Sequence, residues 1–108
     1  MGYMTEITIK KGAYGEPLAL TVTDDDDDAI DLSGYTLSLK VWEDYDPDTV
    51  IWTLTGTATD ATNGVADFAI TVTDFITAGI YYGEVNMVET GVAIRKSKTI
   101  KIIVEESV

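Results

Sequence analysis

The sequence predicts an all-β fold, an antiparallel β-sandwich of about seven strands making one domain over residues 1–108. Three observations carry that expectation. Short stretches alternate apolar and polar residues with period two. Turn-forming residues punctuate them roughly every 8–12 positions. No segment shows a sustained apolar stripe at helical spacing. Enrichment in Thr and Val agrees with strand propensity.

The predicted elements follow in order. Residues 5–10 (TEITIK), from Thr5, put Ile7 and Ile9 inward and Thr8 and Lys10 outward, and form the first strand. Gly12, Gly15 and Pro17 turn the chain. Leu18, Leu20 and Val22 alternate with Ala19, Thr21 and Thr23 in the second strand. An aspartate run and the tail AIDLSG (29–34) come next. Leu37, Leu39 and Val41 define the third strand and leave Trp42 on its outer side. EDYDPD (43–48) is a polar loop broken by Pro47. VIWTLT (50–55) is the fourth strand; both its faces are partly apolar, so either Ile51 or Trp52 can point inward. Residues 56–59 continue it irregularly. Asn63-Gly64 then signals a hairpin, since both residues tolerate positive φ. Ala66, Phe68, Ile70 and Val72 form the inward side of the fifth strand. TDFITA (73–78) reads as one helical turn with Thr73 as its N-cap.

The last third, residues 79–104, is the hairpin around which the rest folds. Tyr81, Gly83, Val85 and Met87 share one side of the outgoing strand, and Glu89-Thr90-Gly91 supplies the turn. Ile100, Ile102 and Val104 share one face of the return strand. Between them Arg95-Lys96-Ser97-Lys98 interrupts the alternation, which predicts a bulge or an exposed stretch.

Composition narrows the function classes. A chain of 108 residues buries roughly two-thirds of its unfolded surface, enough to fold without staples. It has no cysteine and no histidine, which removes disulfides, imidazole metal ligands and the commonest general base. Nineteen acids against 7 bases leave a net charge of −12. So negative a surface repels phosphate backbones and anionic lipid, so neither nucleic acid nor membrane is an expected partner. No stretch approaches the ~18 apolar residues of a membrane span. The start, MGYMTEITIK, has no signal-peptide pattern, and Glu6 stands where myristoylation needs Ser or Thr.

Five pieces of the chain occur in a familiar order: EITIK (6–10) before a Gly-containing loop, LTVTDD (20–25), DLSGYT (31–36), DATNGV (60–65) and AGIYYGEV (78–85). Together they resemble the immunoglobulin-like domain at the N-terminus of bacteriophage baseplate upper proteins and related tail proteins. The resemblance covers nearly the whole chain. It implies an immunoglobulin-like sandwich and a non-enzymatic role in the virion, through protein–protein contacts in the tail or baseplate. Expected partners are other virion structural proteins, in multiple symmetric copies. Family members usually continue into a helical or fibrous region, whereas this chain stops at Val108. A stand-alone copy would be a tail or neck adaptor, or a capsid decoration protein. A carbohydrate- or cell-surface-binding module is the alternative of another class. The resemblance also implies that Tyr81 or Tyr82 forms the tyrosine corner of such domains.

Four groups of residues are candidate sites. Asp24, Asp25, Asp26, Asp27 and Asp28 form a solvated hairpin tip on the simplest reading, because Asp accepts turn geometry. Hard cations take carboxylate oxygens, so Ca2+ is the alternative ligand, although the Gly and terminal Glu of an EF-hand loop are missing. A partner's basic patch is the third reading. Otherwise no cofactor is expected. Glu43, Asp44, Asp46 and Asp48 form a second acidic loop; glycosidase chemistry would need one of these carboxylates buried, and both stretches read as exposed. Ser33, Ser38, Ser97 and Ser107 have no histidine to activate them. The bases gather on the first and last strands, at Lys10 and Lys11 and at Arg95, Lys96, Lys98 and Lys101. They read either as a charged edge that resists aggregation or as a basic edge for an acidic neighbour. Tyr3, Tyr14, Trp42, Tyr45 and Trp52 are scattered aromatics, read as core or interface packing ahead of sugar stacking.

Overall fold

The central pair of strands is where the alternation in the sequence becomes a core. In a computed structural model of the chain, β3 (Thr36–Glu43) and β6 (Gly79–Glu89) lie antiparallel, with Leu37 opposite Met87, Leu39 opposite Val85 and Val41 opposite Gly83. Facing residues of an antiparallel pair point to the same side. All the side chains of these three pairs are buried, Leu39, Val41 and Met87 completely. The structure describes residues 6–12, 15–24, 26, 28–44, 46–71, 75, 77–89 and 93–106. Expectations that rested on Tyr3, Thr5, Tyr14, Asp25, Asp27, Tyr45, Val72, Thr73, Thr90, Gly91 and Ser107 lie outside the described residues.

The remaining strands extend this pair in both directions. β4 (Asp46–Asp60) flanks β3, then come β5 (Val65–Phe68) and β2 (Leu18–Thr21). On the other side β8 (Ile100–Glu105) pairs with the first half of β6, and β1 (Glu6–Lys10) lies outside β8; β7 (Ala93–Lys96) pairs with the second half of β6. The sheet curls so that both flanks close over one interior. Leu20, Ala66 and Phe68 come from one flank, and Ile9, Ile102 and Val104 from the other. A backbone bond from Lys98 N–H to the Thr23 carbonyl, 3.0 Å, crosses the seam where the flanks meet. The all-β, sandwich-like expectation holds, and the described residues contain no α-helix.

Several local expectations need correcting. The sheet is antiparallel except for one pair: β1 runs parallel to β8, with Ile7 beside Ile102 and Ile9 beside Val104. These strands come from opposite ends of the chain, so no tight turn dictates their direction. The return strand of the last hairpin is two strands, because pairing slips by one residue between Asn86–Lys96 and Gly83–Ile100. The extra residue lies in the expected bulge, and Ser97 stabilises it. Its Oγ accepts from Val85 N–H at 2.9 Å and donates to the Lys98 carbonyl at 2.9 Å. The fourth strand is far longer than VIWTLT and has its own bulge opposite Val41 and Trp42. Both Ile51 and Trp52 therefore pack on the core, so the choice between them dissolves.

The hairpin expected at Asn63-Gly64 joins β4 to β5, which pair antiparallel, though not with positive φ at both residues. Residues Ala61–Asn63 make a 3-10 turn, and only Gly64 takes positive φ, at 75°. A Cβ on Gly64 would lie 2.9 Å from the carbonyl oxygens of both Val22 and Ile30. Those two residues and Leu32 are buried in the core, held by bonds from Val22 N–H to the Gly64 carbonyl and from Leu32 N–H to the Ala61 carbonyl. Gly56 admits another close approach, since a Cβ there would run into the Phe68 ring. Of the expected turn TDFITA (73–78), Phe75 and Thr77 sit in bends, and residues 73, 74 and 76 lie outside the described residues. Phe75 is fully buried with φ 51°, and its ring lies 5.0 Å from Trp52.

Candidate functional site

The aspartate run folds on itself. A bridge between Thr23 and Ala29 closes the loop, and Asp24 N–H donates to the Asp28 carbonyl at 3.0 Å. Asp24 Oδ1 accepts from the backbone N–H of Asp26 at 2.9 Å and of Asp28 at 3.1 Å. One carboxylate oxygen from each of Asp24, Asp26 and Asp28 falls within 4.8 Å of the others. Asp24 Oδ1 already serves two backbone donors. That is the hydrogen-bonding habit that makes Asp a turn residue.

The basic cluster is largely matched by acids of the same chain. Lys10 Nζ lies 2.7 Å from Glu105, Lys11 3.4 Å from Glu106, Lys96 3.8 Å from Glu84 and Lys101 4.0 Å from Glu6. Exposed pairs of this kind contribute roughly 0–1 kcal/mol each. Arg95 is exposed on β7. Lys98 is half-buried, and its backbone bond to Thr23 sets the basic stretch directly beside the aspartate loop. The acidic and basic stretches are therefore neighbours across the seam. Next to them a cleft of about 300 Å3 opens between the flanks, lined by Ile7, Leu20, Val22, Val85 and Ile100 with Lys98 at its edge. Its lining contains no carboxylate.

The serines are structural where they are described. Ser33 donates to Asp31 Oδ1 from both its hydroxyl, at 2.7 Å, and its backbone N–H, at 3.0 Å. These two bonds hold the Asp31 carboxyl below the usual aspartate range. Ser38 lies on the outer side of β3, and Ser97 braces the bulge.

The aromatics divide into two sets. Trp52 is flanked by Phe75 and by Tyr81, whose ring lies 4.8 Å away. Tyr81 also donates its hydroxyl proton to the Thr77 carbonyl, four residues upstream, at 2.6 Å. This is a bond of the tyrosine-corner kind, and it selects Tyr81 over Tyr82. Burial, with the Glu43 charge nearby, pushes the Tyr81 phenol up. The second set faces outward. Trp42 lies opposite Tyr82 on β6 and Val50 on β4. Two residues along β6, Ile80 lies opposite Ile103 on β8. Val50 and Ile80 are 49% and 46% exposed, the large apolar residues that stand out most among the described ones. Desolvation raises the Tyr82 phenol, helped by the Asp44 charge and a hydrogen bond to it. Sequence patterning picked out only Trp42 from this group. The missing cue was the bulge, which puts Val50 on the same side as Trp42 although Ile51 and Trp52 between them face the core.

No family model matches the sequence, and no curated protein matches it. Among solved structures the chain is similar to the N-terminal domain of phage TP901-1 ORF48, at a TM-score of 0.70 and 10% identity, over 96% of this chain and 90% of that one. At that identity the likeness speaks for the fold.

Proposed function

We propose that this protein is a non-enzymatic structural component of a bacteriophage virion. It acts through protein–protein contacts in the tail or baseplate, as an immunoglobulin-like adaptor present in several symmetric copies. The observation that carries this reading is the end-to-end fold likeness to a domain of a phage protein. It agrees with the sequence resemblance to baseplate upper proteins, drawn from separate features of the chain. The Tyr81–Thr77 bond supports the immunoglobulin-like assignment. The charge of −12 disfavours a nucleic-acid or anionic-membrane partner.

The test is fractionation of particles from cells infected with the phage that encodes the chain. Separated tails and heads are probed for the protein by mass spectrometry. Recovery with tails supports the adaptor. Recovery with heads alone replaces it with capsid decoration. Absence from both, together with glycan-array binding by the isolated chain, replaces it with an adhesion module.

A further inference from the structure

The outward row Val50–Trp42–Tyr82, which ends on β8 at Lys101, and the adjoining pair Ile80–Ile103 form an apolar band over β4, β3 and β6 that reaches β8 at Ile103. Nothing in the fold requires it. Sheet faces that meet only water normally carry polar residues at these positions. Trp and Tyr at the centre of such a band are the residue types that dominate protein interfaces. The charges around the band are asymmetric. At one end Asp44 is exposed and bonded to Tyr82, and Asp48 is exposed two residues from Val50 on the same strand. Asp46, also exposed, stands opposite Glu43, which faces the buried Tyr81, so it belongs to the other side of the sheet. No base of this chain forms an ion pair with Asp44 or Asp48 among the described residues. The bases near the band face acids already: Lys40 stands opposite Glu84, and Lys101, opposite Tyr82, lies 4.0 Å from Glu6.

We propose that the face formed by Trp42, Val50, Ile80, Tyr82 and Ile103 is the surface on which this domain docks to a neighbouring protein of the particle. The partner's matching surface has an apolar centre with Lys or Arg along the edge that meets Asp44 and Asp48. The proposal rests on the virion reading above and adds the surface and the partner's chemistry. A second copy of this chain is a poor occupant, because it would bring −12 against −12 with the same uncompensated aspartates at the rim.

The test substitutes Val50→Glu and Ile80→Glu together in the phage gene, with Lys10→Glu on the β1 edge as a control. Both positions are about half exposed, so the double variant should melt near the wild type. The expected result is a loss of about tenfold or more in its copies per particle, with the control retained. A second measurement needs no variant: hydroxyl-radical footprinting of wild-type particles should protect Trp42 and Tyr82 relative to the free chain, and leave Tyr35 unchanged. Wild-type copy number for a folded double variant, or full reactivity of both rings in the particle, overturns the docking face and leaves the virion reading standing. Absence of the wild type from particles overturns both. A purified chain that dimerises, and becomes monomeric on Ile80→Glu, overturns the basic-edged partner in favour of a second copy.

Discussion

The two sides of the β3–β6 pair are built from alternate residues of the same strands, yet they obey different rules. Inward, Leu37, Leu39, Val41, Tyr81, Val85 and Met87 are all at most 3% exposed and interlock with Leu54 and Ile102. Outward, Trp42, Tyr82, Val50 and Ile80 are apolar or aromatic and still meet solvent. Hydrophobicity alone does not separate the two sets. What separates them is the curl of the sheet, which closes β2 and β5 over one side and leaves the other open. Residues on the closed side should govern stability, and residues on the open side should govern association.

That division can be broken in order of size. Phe68→Ala removes a fully buried ring from the closed side and should cost roughly 3–5 kcal/mol, a drop in melting temperature of more than about 10 °C. An unchanged melt would mean the interior lies elsewhere. Gly64→Ala should cost about 1–3 kcal/mol in a denaturant titration, because the new methyl meets two backbone carbonyls and the φ is left-handed. Side-chain repacking cannot relieve a collision with backbone.

Tyr81→Phe removes one hydrogen bond and should cost about 1 kcal/mol. It also sharpens the comparison through pH. The folded-state pKa of Tyr81 lies above the unfolded value of 10.0, so its contribution is whole below pH 10 and falls as pH rises through the folded value. Melts of the variant at alkaline pH should therefore lose less stability than the wild type; Tyr82, raised in the same direction, keeps its own share. On the open side, Ile80→Thr should change stability by no more than about 0.5 kcal/mol. A large loss there would show that the outward band is part of the core. The smallest expected effect is that of calcium. Melts with Ca2+ and with chelator should coincide, since Asp24 Oδ1 is already engaged by two backbone donors. A rise in midpoint with Ca2+ that Asp26→Asn abolishes would instead make the loop a cation site.

Much of the fold was legible because strand patterning is a local property. The inward sets of β3 and β6 followed from period two, as did Ile9, Leu20 and Phe68. The break at Ser97 announced itself as four polar residues inside an apolar alternation. The misreadings share a different cause. The hairpin at Asn63-Gly64 is present, but Asn63 was expected to tolerate positive φ as well; Gly64 alone takes it, passing under the carbonyls of Val22 and Ile30 at the end of a 3-10 turn. Ile30 and Leu32 were passed over in a loop next to five aspartates, although their spacing of two was a usable cue. Of the candidate sites, the aspartate loop and the basic cluster were visible as charge runs. Their adjacency across the seam, and the pairing of four lysines with acids of their own chain, were not.

By itself the sequence determined the all-β class, the inward residues of the central strands, the acidity, and the want of thiol and imidazole chemistry. Those follow from composition and from side chains alternating along an extended backbone. The tertiary structure alone decided that the first strand runs parallel to the last, that two bulges reassign Ile51, Val50 and Ser97, and which apolar residues stay uncovered. The physical reason is range. A side chain's direction is set by its immediate neighbours, but whether anything lies above it depends on strands brought together from dozens of residues away.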